Sequence, residues 1–545
     1  MSVEDHEIAG AQITGAQITD EEYGTEEKVL QEDVPEENVT YHDSPSKQRV
    51  VIILLGLGLS VFLAALDITI VSTALPKIVA HFKASDSAYS WIASSYLLAN
   101  ASSVGLWGRL SDIWGRKPIL STSIILFLGG SLICALAINV NMLIAGRALQ
   151  GVGSGGITVM ANICVSDLFD VQRRSAYLGI FGATWAIAGA VGPIIGGAFT
   201  SYVTWRWCFY INLPVGGVAF FFLLFFLKID TTKKTLVDGL ASIDWIGVGL
   251  VIAGTIMLLL GLEFGGDQFA WSSATVICLI VFGVVALILF GIYERIPSAP
   301  IIPLAVFDNW QNVALLIVNF CHGAVFIGGC FYLPVYLQNV LLESSIMSGI
   351  LLLPLVGALA ISSGLGGWYM RATGRFREVI IFGMFFTTLG YGLYMNLQPY
   401  ASWTRIVLYQ MIVGIGLGPN FQATLIALQA NVKTSEMSQA TAAFSLVRQL
   451  SASISVVVGT VIYNYEVAMR KAKLVAALGY TIGSEIVAAS TATSSITKVV
   501  PVDQRQIIFD VINKGLSYVW LFYLCISALG LVLACTLRNI HKQSS

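Results

Sequence analysis

The sequence has few charged residues and lacks the residue patterns that mark cofactor, metal or nucleotide sites. Only 11% of its 545 residues are charged, whereas soluble domains carry about 25%. The eight cysteines lie inside or at the edges of apolar stretches, with no paired spacing in a polar loop, so we expect neither a disulfide framework nor a metal site. No Gly-rich loop with a following lysine is found, and no nucleophile has a matched base. These absences argue against an ATP-driven pump, an enzyme, a cofactor and a nucleic-acid partner.

The N-terminal region differs in composition from the rest. The first 46 residues hold 13 of the 32 acidic side chains and a single basic one, Lys28, and they include the tandem echo AQITGAQITD. Such a segment predicts a disordered acidic tail rather than a folded domain. We expect no cleavable signal peptide, because the sequence does not open with a short apolar segment followed by a cleavage-like site.

Apolar residues, by contrast, are abundant, at 56% of the chain. From Val50 onward, runs of about 20 apolar residues recur, each able to cross a hydrocarbon core of about 30 Å as a helix. They predict an all-α membrane protein in a lipid bilayer, with about fourteen transmembrane helices. The predicted spans are 50–74, 88–107, 119–138, 142–165, 176–199, 208–228, 243–263, 273–293, 312–337, 347–367, 379–396, 404–426, 440–463 and 516–537.

The basic residues indicate the orientation. The short connections on the side of the N-terminal tail hold seventeen Lys and Arg, whereas those on the opposite side hold only Lys77, Lys83, Arg206 and Arg405. The positive-inside rule then predicts that both termini are cytoplasmic. Residues 466–515 form a predicted long outer loop, which is a weak guide to topology. Its second half, with apolar residues at helical spacing from Ile507 to Ile512, is compatible with a helix along the outer interface.

Two fragments recur in register with the order of the spans. The connection after span 2, GRLSDIWGRK, is echoed after span 10 by GWYMRATGRF, and the glycines 151, 153 and 155 of span 4 are echoed by 414, 416 and 418 of span 12. This duplication predicts parallel six-helix halves at 47–230 and 301–537. Two inserted helices occupy 231–300, and 538–545 is a short cytoplasmic tail.

The connection after span 2 combines glycines, bases and one acid. Asp112 can accept charge-assisted hydrogen bonds from arginine and cap a neighbouring helix N-terminus, which would hold the two halves in one orientation. A plain positive-inside loop explains the bases but not Asp112 or the glycines. In the echo, Arg371 stands at the position of Asp112, so we expect no acidic equivalent there. The predicted conformational latch comprises Gly108, Arg109, Asp112, Gly115, Arg116 and Lys117.

Polar residues inside the spans are candidates for function, because ionisable groups are costly in a bilayer. Asp67 is the only acid well inside a predicted span, and Arg147 lies among apolar neighbours in span 4, where span 12 has Gln410. A carboxyl group in a low-dielectric site is able to take up and release a proton. The alternatives are a neutral structural aspartate and an arginine that extends to the interface. Residues predicted to line a substrate cavity are Gln150, Arg448 and Gln449.

Span 5 carries small residues and a proline within a short run. Small residues allow close helix contact and proline kinks a helix, so the segment suits a helix that bends or slides between states. Glycine content alone is weak evidence in a membrane helix, and the run GPIIGG gives the motif its specificity. The element comprises Gly189, Gly192, Pro193, Gly196 and Gly197.

These motifs, together with LDITIVSTALP from Leu66 and WRWCFYINLP from Trp205, resemble the major facilitator superfamily in its fourteen-span drug:proton antiporter branch. The resemblance covers Val50 to Leu537, although Ser72 and Thr73 replace a more usual Asn-Val pair in span 1. It implies the major facilitator fold, a part for Arg147 in proton transfer or in holding the cavity open, and antiport from the span-5 element. Asp67 is the expected proton-coupling carboxylate, with a nearby cation such as Arg147 driving the proton off in one state.

We therefore predict a monomeric, proton-coupled transporter that exports small organic molecules, such as drugs, toxins or secondary metabolites, by alternating access. The acidic tail and the long loop are similar to those of fungal members, and the expected location is the plasma membrane or, alternatively, the vacuolar membrane. The competing interpretation is an importer of siderophore-bound iron or a nutrient from the same superfamily. A channel or receptor would not need two repeated halves.

Overall fold

The computed structural model describes residues 47–82, 86–229, 235–266, 268–296, 301–302, 305–488 and 493–538. The predicted acidic tail and nearly all of the C-terminal tail lie outside these ranges. Every regular element within them is a helix. Fourteen helices are long: α1 Lys47–Phe82, α2 Asp86–Trp114, α3 Arg116–Ala135, α4 Val140–Leu168, α5 Val171–Tyr202, α6 Asn212–Phe226, α7 Trp245–Phe264, α8 Ala274–Tyr293, α9 Trp310–Asn339, α10 Leu353–Thr373, α11 Phe376–Tyr394, α12 Trp403–Ala430, α13 Met437–Met469 and α14 Arg505–Thr536.

Thirteen helices in the described ranges are long and apolar enough to cross a membrane, judged by length and composition. The remaining long helix is α2, which has 29 residues and therefore exceeds the length needed to span. Its lower hydropathy comes from serine and asparagine residues that are buried against other helices, among them Ser95, Asn100, Ser102 and Ser103. The chain is a multi-pass membrane protein, and α2 corresponds to the second predicted span.

The helix contacts repeat with an offset of eight helices. In the first half, α4 packs against α2 and α3, α1 against α5, and α6 against α1 and α3. In the second half, α12 packs against α10 and α11, α9 against α13, and α14 against α9 and α11. The two groups of six helices thus share one packing scheme, as the sequence duplication predicts. They meet where α5 contacts α10 and α12, and where α2 contacts α13.

The alternating glycines of α4 (151, 153 and 155) and α12 (414, 416 and 418) explain why these two helices occupy the centre of each group. A Cβ atom on Gly151 would lie 2.3 Å from the Tyr96 carbonyl oxygen of α2, and one on Gly153 would lie 2.4 Å from the Phe127 nitrogen of α3. Gly414 and Gly416 meet the backbones of α10 and α11 in the same way, at 2.4 and 2.2 Å. Alternating glycines therefore allow one helix to contact two neighbours at backbone distance.

The inserted helices α7 and α8 pack against each other and lie beside the junction of the two groups. Helix α7 contacts both α2 and α13. Its end is fixed to α2 by a hydrogen bond from Ser94 to Glu263 and by the Trp91 and Phe264 rings, whose centroids are 5.7 Å apart.

The last long helix begins at Arg505, well inside the segment predicted as a long loop. Ile508, Val511 and Ile512 are buried in the helical bundle, so this stretch does not lie along the outer interface as the spacing had suggested. The spacing correctly indicated a helix, but an apolar helical face packs equally well on protein or on lipid. Three short helices, Lys471–Leu478, Tyr480–Ala488 and Ser494–Val499, precede it.

Candidate functional site

Asp67 of α1 and Arg147 of α4 form a buried ion pair. Asp67 has no exposed surface and Arg147 is 2% exposed. Arginine Nη1 donates to aspartate Oδ2, while Nε donates to the Ile92 carbonyl at 3.2 Å. The guanidinium carbon also lies 4.2 Å from the centroid of the Tyr96 ring, a cation–π geometry. Arg147 is therefore held inside the helix bundle and does not extend to the interface.

The second oxygen of Asp67 is held by two amides. Gln150 Nε2 and Asn212 Nδ2 each donate to Oδ1 at 3.0 Å, and both amides also donate to the Ser131 hydroxyl, at 2.7 and 3.1 Å. Three side-chain donors therefore bind the two oxygens of this one carboxylate. Gln150, expected from the sequence to line the substrate cavity, belongs to this cluster and has no exposed surface.

A chain of hydrogen bonds leads from this pair to the second half. The Tyr96 hydroxyl donates to Ser154 at 2.6 Å, and Asn100 Nδ2 donates to the same serine oxygen at 3.1 Å. Gln449 of α13 in turn donates to Asn100 Oδ1. Gln449 was expected in the cavity, and its bond to Asn100 joins the two groups of helices near their middle.

The connection after α2 joins the halves at one end of the bundle. The Ser438 hydroxyl, in the first turn of α13, donates to both oxygens of Asp112 at 2.6 and 2.8 Å. Arg116 forms ion pairs with Asp112 at 2.5 Å and with Asp167 at the end of α4 at 2.7 Å. Asp112 thus accepts hydrogen bonds from a side chain in the first turn of a helix of the other half.

The remaining residues of the predicted latch differ in their contacts. Gly115 has φ of 93°, a left-handed conformation that favours glycine. A Cβ atom on Gly108 would lie 3.1 Å from Ala442 Cβ and from the Ser438 carbonyl oxygen, so this glycine sets the distance between α2 and α13. Arg109 and Lys117 are partly buried and take part in none of the bonds to Asp112.

Further bonds between the halves lie at the same end. Gln429 Oε1, near the end of α12, accepts from Ser166 Oγ at 3.0 Å and from Arg174 Nη1 at 3.1 Å. The Ser175 hydroxyl of α5 donates to the Gly367 carbonyl at 3.2 Å. Together with Asp112 and Ser438, these contacts hold the halves together at the end that carries the α2–α3 connection.

The span-5 element packs α5 on α1, close to Asp67. A Cβ atom on Gly192 would lie 2.0 Å from Thr69 Oγ1, two residues beyond Asp67, and the same hydroxyl donates to the Ala188 carbonyl at 3.2 Å. Gly189 borders open space, because a Cβ atom there would meet nothing within 4 Å. Pro193 lies inside the helix, beside Gly349 of the short helix Ser345–Leu351, and Gly196 and Gly197 are buried.

Arg448 of α13 is the centre of a second polar cluster. Its Nε donates to Asn319 Oδ1 at 3.1 Å, and Nη2 lies 3.4 Å from His322 Nδ1, both partners being residues of α9. His322 Nε2 lies 2.9 Å from the Leu417 carbonyl oxygen. The guanidinium carbon is 4.7 Å from the Phe421 ring centroid and 5.0 Å from that of Phe444.

Several residues of these clusters were not identified from the sequence. Asn212 and His322 are buried polar residues inside predicted spans, a signal that marks functional positions and was available. Asp167 and Ser438 carry no such signal, because a short polar residue at a helix end is common in any topology. Their importance comes from tertiary contacts with Arg116 and Asp112 alone.

A bundle of long apolar helices, built from two groups with one packing scheme and carrying a buried ion pair, defines a polytopic membrane transporter. The sequence profile of the Major Facilitator Superfamily matches residues 57–456, and the chain belongs to this superfamily. It is 45% identical over 490 residues to the efflux pump dotC of Dothistroma septosporum, an alignment that covers 90% of this chain and 84% of the relative.

Other comparisons agree with this assignment. The MFS-type transporter ppz2 of Metarhizium majus is 41% identical, over 92% of this chain and 87% of its own length. Among solved structures, the proton:xylose symporter XylE aligns with a TM-score of 0.56 at 13% identity, covering 90% of this chain and 96% of the symporter. The structural likeness shows the shared fold.

Proposed function

We propose that the protein is a proton-coupled exporter of small organic molecules, in particular secondary metabolites or toxins. The relative in Dothistroma septosporum is named an efflux pump, and the similarity extends over 90% of this chain. The observation that carries the proton coupling is the carboxyl group of Asp67, which is fully buried within a membrane-spanning helix and bound to Arg147. Intramembrane ionisable residues of this kind serve ion or proton pathways.

In this mechanism Asp67 takes up a proton when Arg147 withdraws and loses it when the ion pair forms again. Both residues belong to the first six-helix group, so a rigid movement of one half against the other leaves them together. The change must therefore arise within that group. The hydrogen bonds from Gln449 through Asn100 and Ser154 to Tyr96, whose ring contacts Arg147, offer a route from the junction of the halves to the ion pair. A substrate that binds at Gln449 while Asp67 carries the proton would then return Arg147 to the ion pair and drive the proton off Asp67.

The contacts of Asp112 supply the second part of alternating access. Ser438 and Arg116 hold Asp112 in the state described here, in which the halves meet at the end of the α2–α3 connection. Opening that end requires the charge-assisted bonds from Ser438 to Asp112 to break, so they set the population of the two states, while Arg116, in the same half as Asp112, keeps the carboxylate in place. In the same proposal Gly192 provides the close contact at which α5 moves against α1.

The proposed location is the plasma membrane, with a monomer crossing it fourteen times and both termini in the cytoplasm. The excess of Lys and Arg in the connections on the side of the termini supports this orientation. Accessibility of terminal tags to protease in intact cells tests it, and microscopy of the tagged protein distinguishes the plasma membrane from the vacuolar membrane.

The decisive experiment for the function combines transport and proton release. Cells that overproduce the protein should accumulate less of an exported compound from a panel of aromatic metabolites than cells without it, whereas an importer would produce the opposite change. With purified protein in weakly buffered detergent solution, the exported compound should release protons into the medium. Asp67→Asn should bind the compound without releasing protons. Wild-type proton release from Asp67→Asn would remove Asp67 from the mechanism.

A further inference from the structure

Arg448 is a cation on a membrane-spanning helix that no carboxylate of the described residues neutralises. The ion pairs found among those residues all involve other side chains, and the hydrogen bonds of Arg448 go to two uncharged groups, Asn319 and His322. Arg147, by contrast, contacts Asp67. A charge inside a membrane protein is costly unless a counter-ion accompanies it. The chain therefore supplies the cation at this site without supplying the anion.

The guanidinium still has hydrogen-bond donors available for a ligand. Arginine carries five N–H donors, and the bonds described above use Nε and one donor at Nη2, which leaves Nη1 without a partner among the described residues. The side chains of Arg448 and Gln449 are both partly exposed. An approaching carboxylate or other anionic oxygen can thus accept hydrogen bonds from the free edge of the guanidinium, the strongest class of such bonds.

Two neutral partners hold the guanidinium in place. Arginine only donates, so the Nδ1 atom of His322 that faces it is the acceptor, and the ring proton lies on Nε2, which donates to the Leu417 carbonyl. Asn319 is fixed in turn, because its Nδ2 donates to the Phe444 carbonyl at 2.9 Å. The cation is therefore oriented before a ligand arrives, which lowers the entropic cost of binding.

Aromatic rings surround the same site. Phe421 and Phe444 lie against the guanidinium, and Phe326 lies 5.1 Å from Phe421, edge to face. Trp185 of α5, from the other half, lies 6.3 Å from Phe421. Rings from both halves next to one oriented cation favour a planar, conjugated ligand with a single negative charge.

We propose that Arg448, positioned by Asn319 and His322, binds the anionic group of the exported molecule, and that the substrates are planar conjugated compounds bearing one carboxylate or phenolate. This inference rests on the proposed export function and specifies its substrate class. The site is next to Gln449, so the anion binds where the hydrogen bonds towards Arg147 begin.

The test uses three probes with one ring system: anthraquinone-2-carboxylate, its methyl ester, and the corresponding aminomethyl cation. Equilibrium dialysis against the full-length protein in lipid nanodiscs measures their affinities. The wild type should bind the carboxylate most tightly. Arg448→Gln should weaken carboxylate binding about tenfold to hundredfold, as expected for charge-assisted hydrogen bonds, and leave the ester unchanged. Arg448→Lys, which retains the charge without the planar fork, should recover part of the affinity.

Arg206→Gln is the matched control, because Arg206 also lies over an aromatic ring, 4.4 Å from Trp205, but is bound to the carbonyls of Ala135 and Ala137. It should leave all three affinities unchanged. Ester binding by Arg448→Gln shows that this variant is folded. Three results would each overturn the proposal. The wild type could bind the three probes with equal affinity, it could bind none of them, or both Arg448 variants could lose carboxylate binding and ester binding in parallel.

Two further measurements distinguish a lipid ligand from the proposed substrate, and failure of this inference from failure of the proposed function. Palmitate serves as a fourth probe: stronger binding of palmitate than of the aromatic carboxylate would assign the site to a lipid and overturn the substrate class. Asp67→Asn should retain carboxylate binding, since its defect lies in proton coupling. Charge-selective binding without proton-dependent export would therefore contradict the proposed function and leave this inference standing.

Discussion

Ser438 and Asp112 belong to different halves of the chain, and the serine hydroxyl donates to both oxygens of the aspartate carboxylate. Arg116 approaches the same carboxylate and also pairs with Asp167. The contact therefore joins the N-terminus of α13 to the ends of α2, α3 and α4. In the proposed mechanism its strength controls how readily the halves separate at this end.

The first prediction concerns this contact. Asp112→Asn removes the charge that strengthens the bonds from Ser438 and Arg116, which are worth about 1.5–3 kcal/mol when charge-assisted. We expect the transport rate to fall about tenfold or more, because the two states are no longer correctly balanced. Transport in cells with matched surface expression measures the effect.

The second half of the chain offers a control for the Asp112→Asn variant. Arg375 and Glu378 form an exposed pair at the echoed connection, with side chains 61% and 44% exposed. Surface pairs of this kind contribute little, so Arg375→Gln should transport normally. If Asp112→Asn also transports normally at equal expression, the connection after α2 has only a topological role.

The second prediction separates folding from coupling at the Asp67–Arg147 pair. Arg147→Gln leaves a buried carboxylate without its cation, and breaking such a pair costs about 3–5 kcal/mol. The double variant Asp67→Asn with Arg147→Gln leaves no unpaired charge, so its apparent unfolding temperature should exceed that of Arg147→Gln alone. Proton-driven export should remain absent in both variants.

Thermal unfolding in detergent and export from intact cells measure the two properties independently. Restored export in the double variant would show that the pair is structural. An unfolding temperature for the double variant at or below that of Arg147→Gln would show that the pair is not the source of the instability.

The sequence predicted the order of the spans because apolar length is a local property. It also marked several residues that form ion pairs in the structure, because charge is a local property too. Asp67, Arg147 and Asp112 were identified individually, since each breaks the expected composition of its segment. Their partners were harder to find: Asn212, Ser131 and Ser438 are small polar residues whose role depends on which helices become neighbours. The start of α14 was missed because helical periodicity does not reveal whether the apolar face meets lipid or protein.

The third prediction compares two glycines of the span-5 element. A methyl group on Gly192 would lie 2.0 Å from Thr69 Oγ1, whereas one on Gly189 meets nothing within 4 Å. Gly192→Ala should therefore separate α5 from α1 beside Asp67, with a cost of about 1–3 kcal/mol for overpacking and a large loss of export. Gly189→Ala should retain both stability and export.

Unfolding temperatures and export rates of the two variants, measured at matched expression, decide this comparison. Equal loss in both variants would mean that the element needs glycine for reasons other than the contact with Thr69. Equal retention would mean that the helices relax to accept the methyl group.

The last prediction concerns Glu294, which follows the end of α8 and lies outside the spans. It is 3% exposed, and both of its carboxylate oxygens lie 3.1 Å from the Ile301 nitrogen, which donates to them. Burial raises the pKa of Glu294 from 4.5 to about 7, and the bonds from the Ile301 and Ile302 amides oppose the shift. Asp244 raises the pKa further, and Arg109 lowers it.

The folded protein thus holds this proton more tightly than the unfolded chain does. Below pH 4.5 both states carry the proton and the stabilisation is fully present; between pH 4.5 and about 7 the unfolded chain loses the proton first. The free energy of unfolding therefore falls as pH rises through this range and becomes level above it. Glu294→Gln stays neutral and should therefore lose this part of the pH dependence. Its apparent unfolding temperature should fall less than that of the wild type between about pH 5 and pH 8. These pH values lie about half a unit above 4.5 and about one unit above the raised pKa. The exposed Glu378→Gln should follow the wild type, and an identical pH profile for Glu294→Gln and wild type would show that Glu294 is ionised throughout the range.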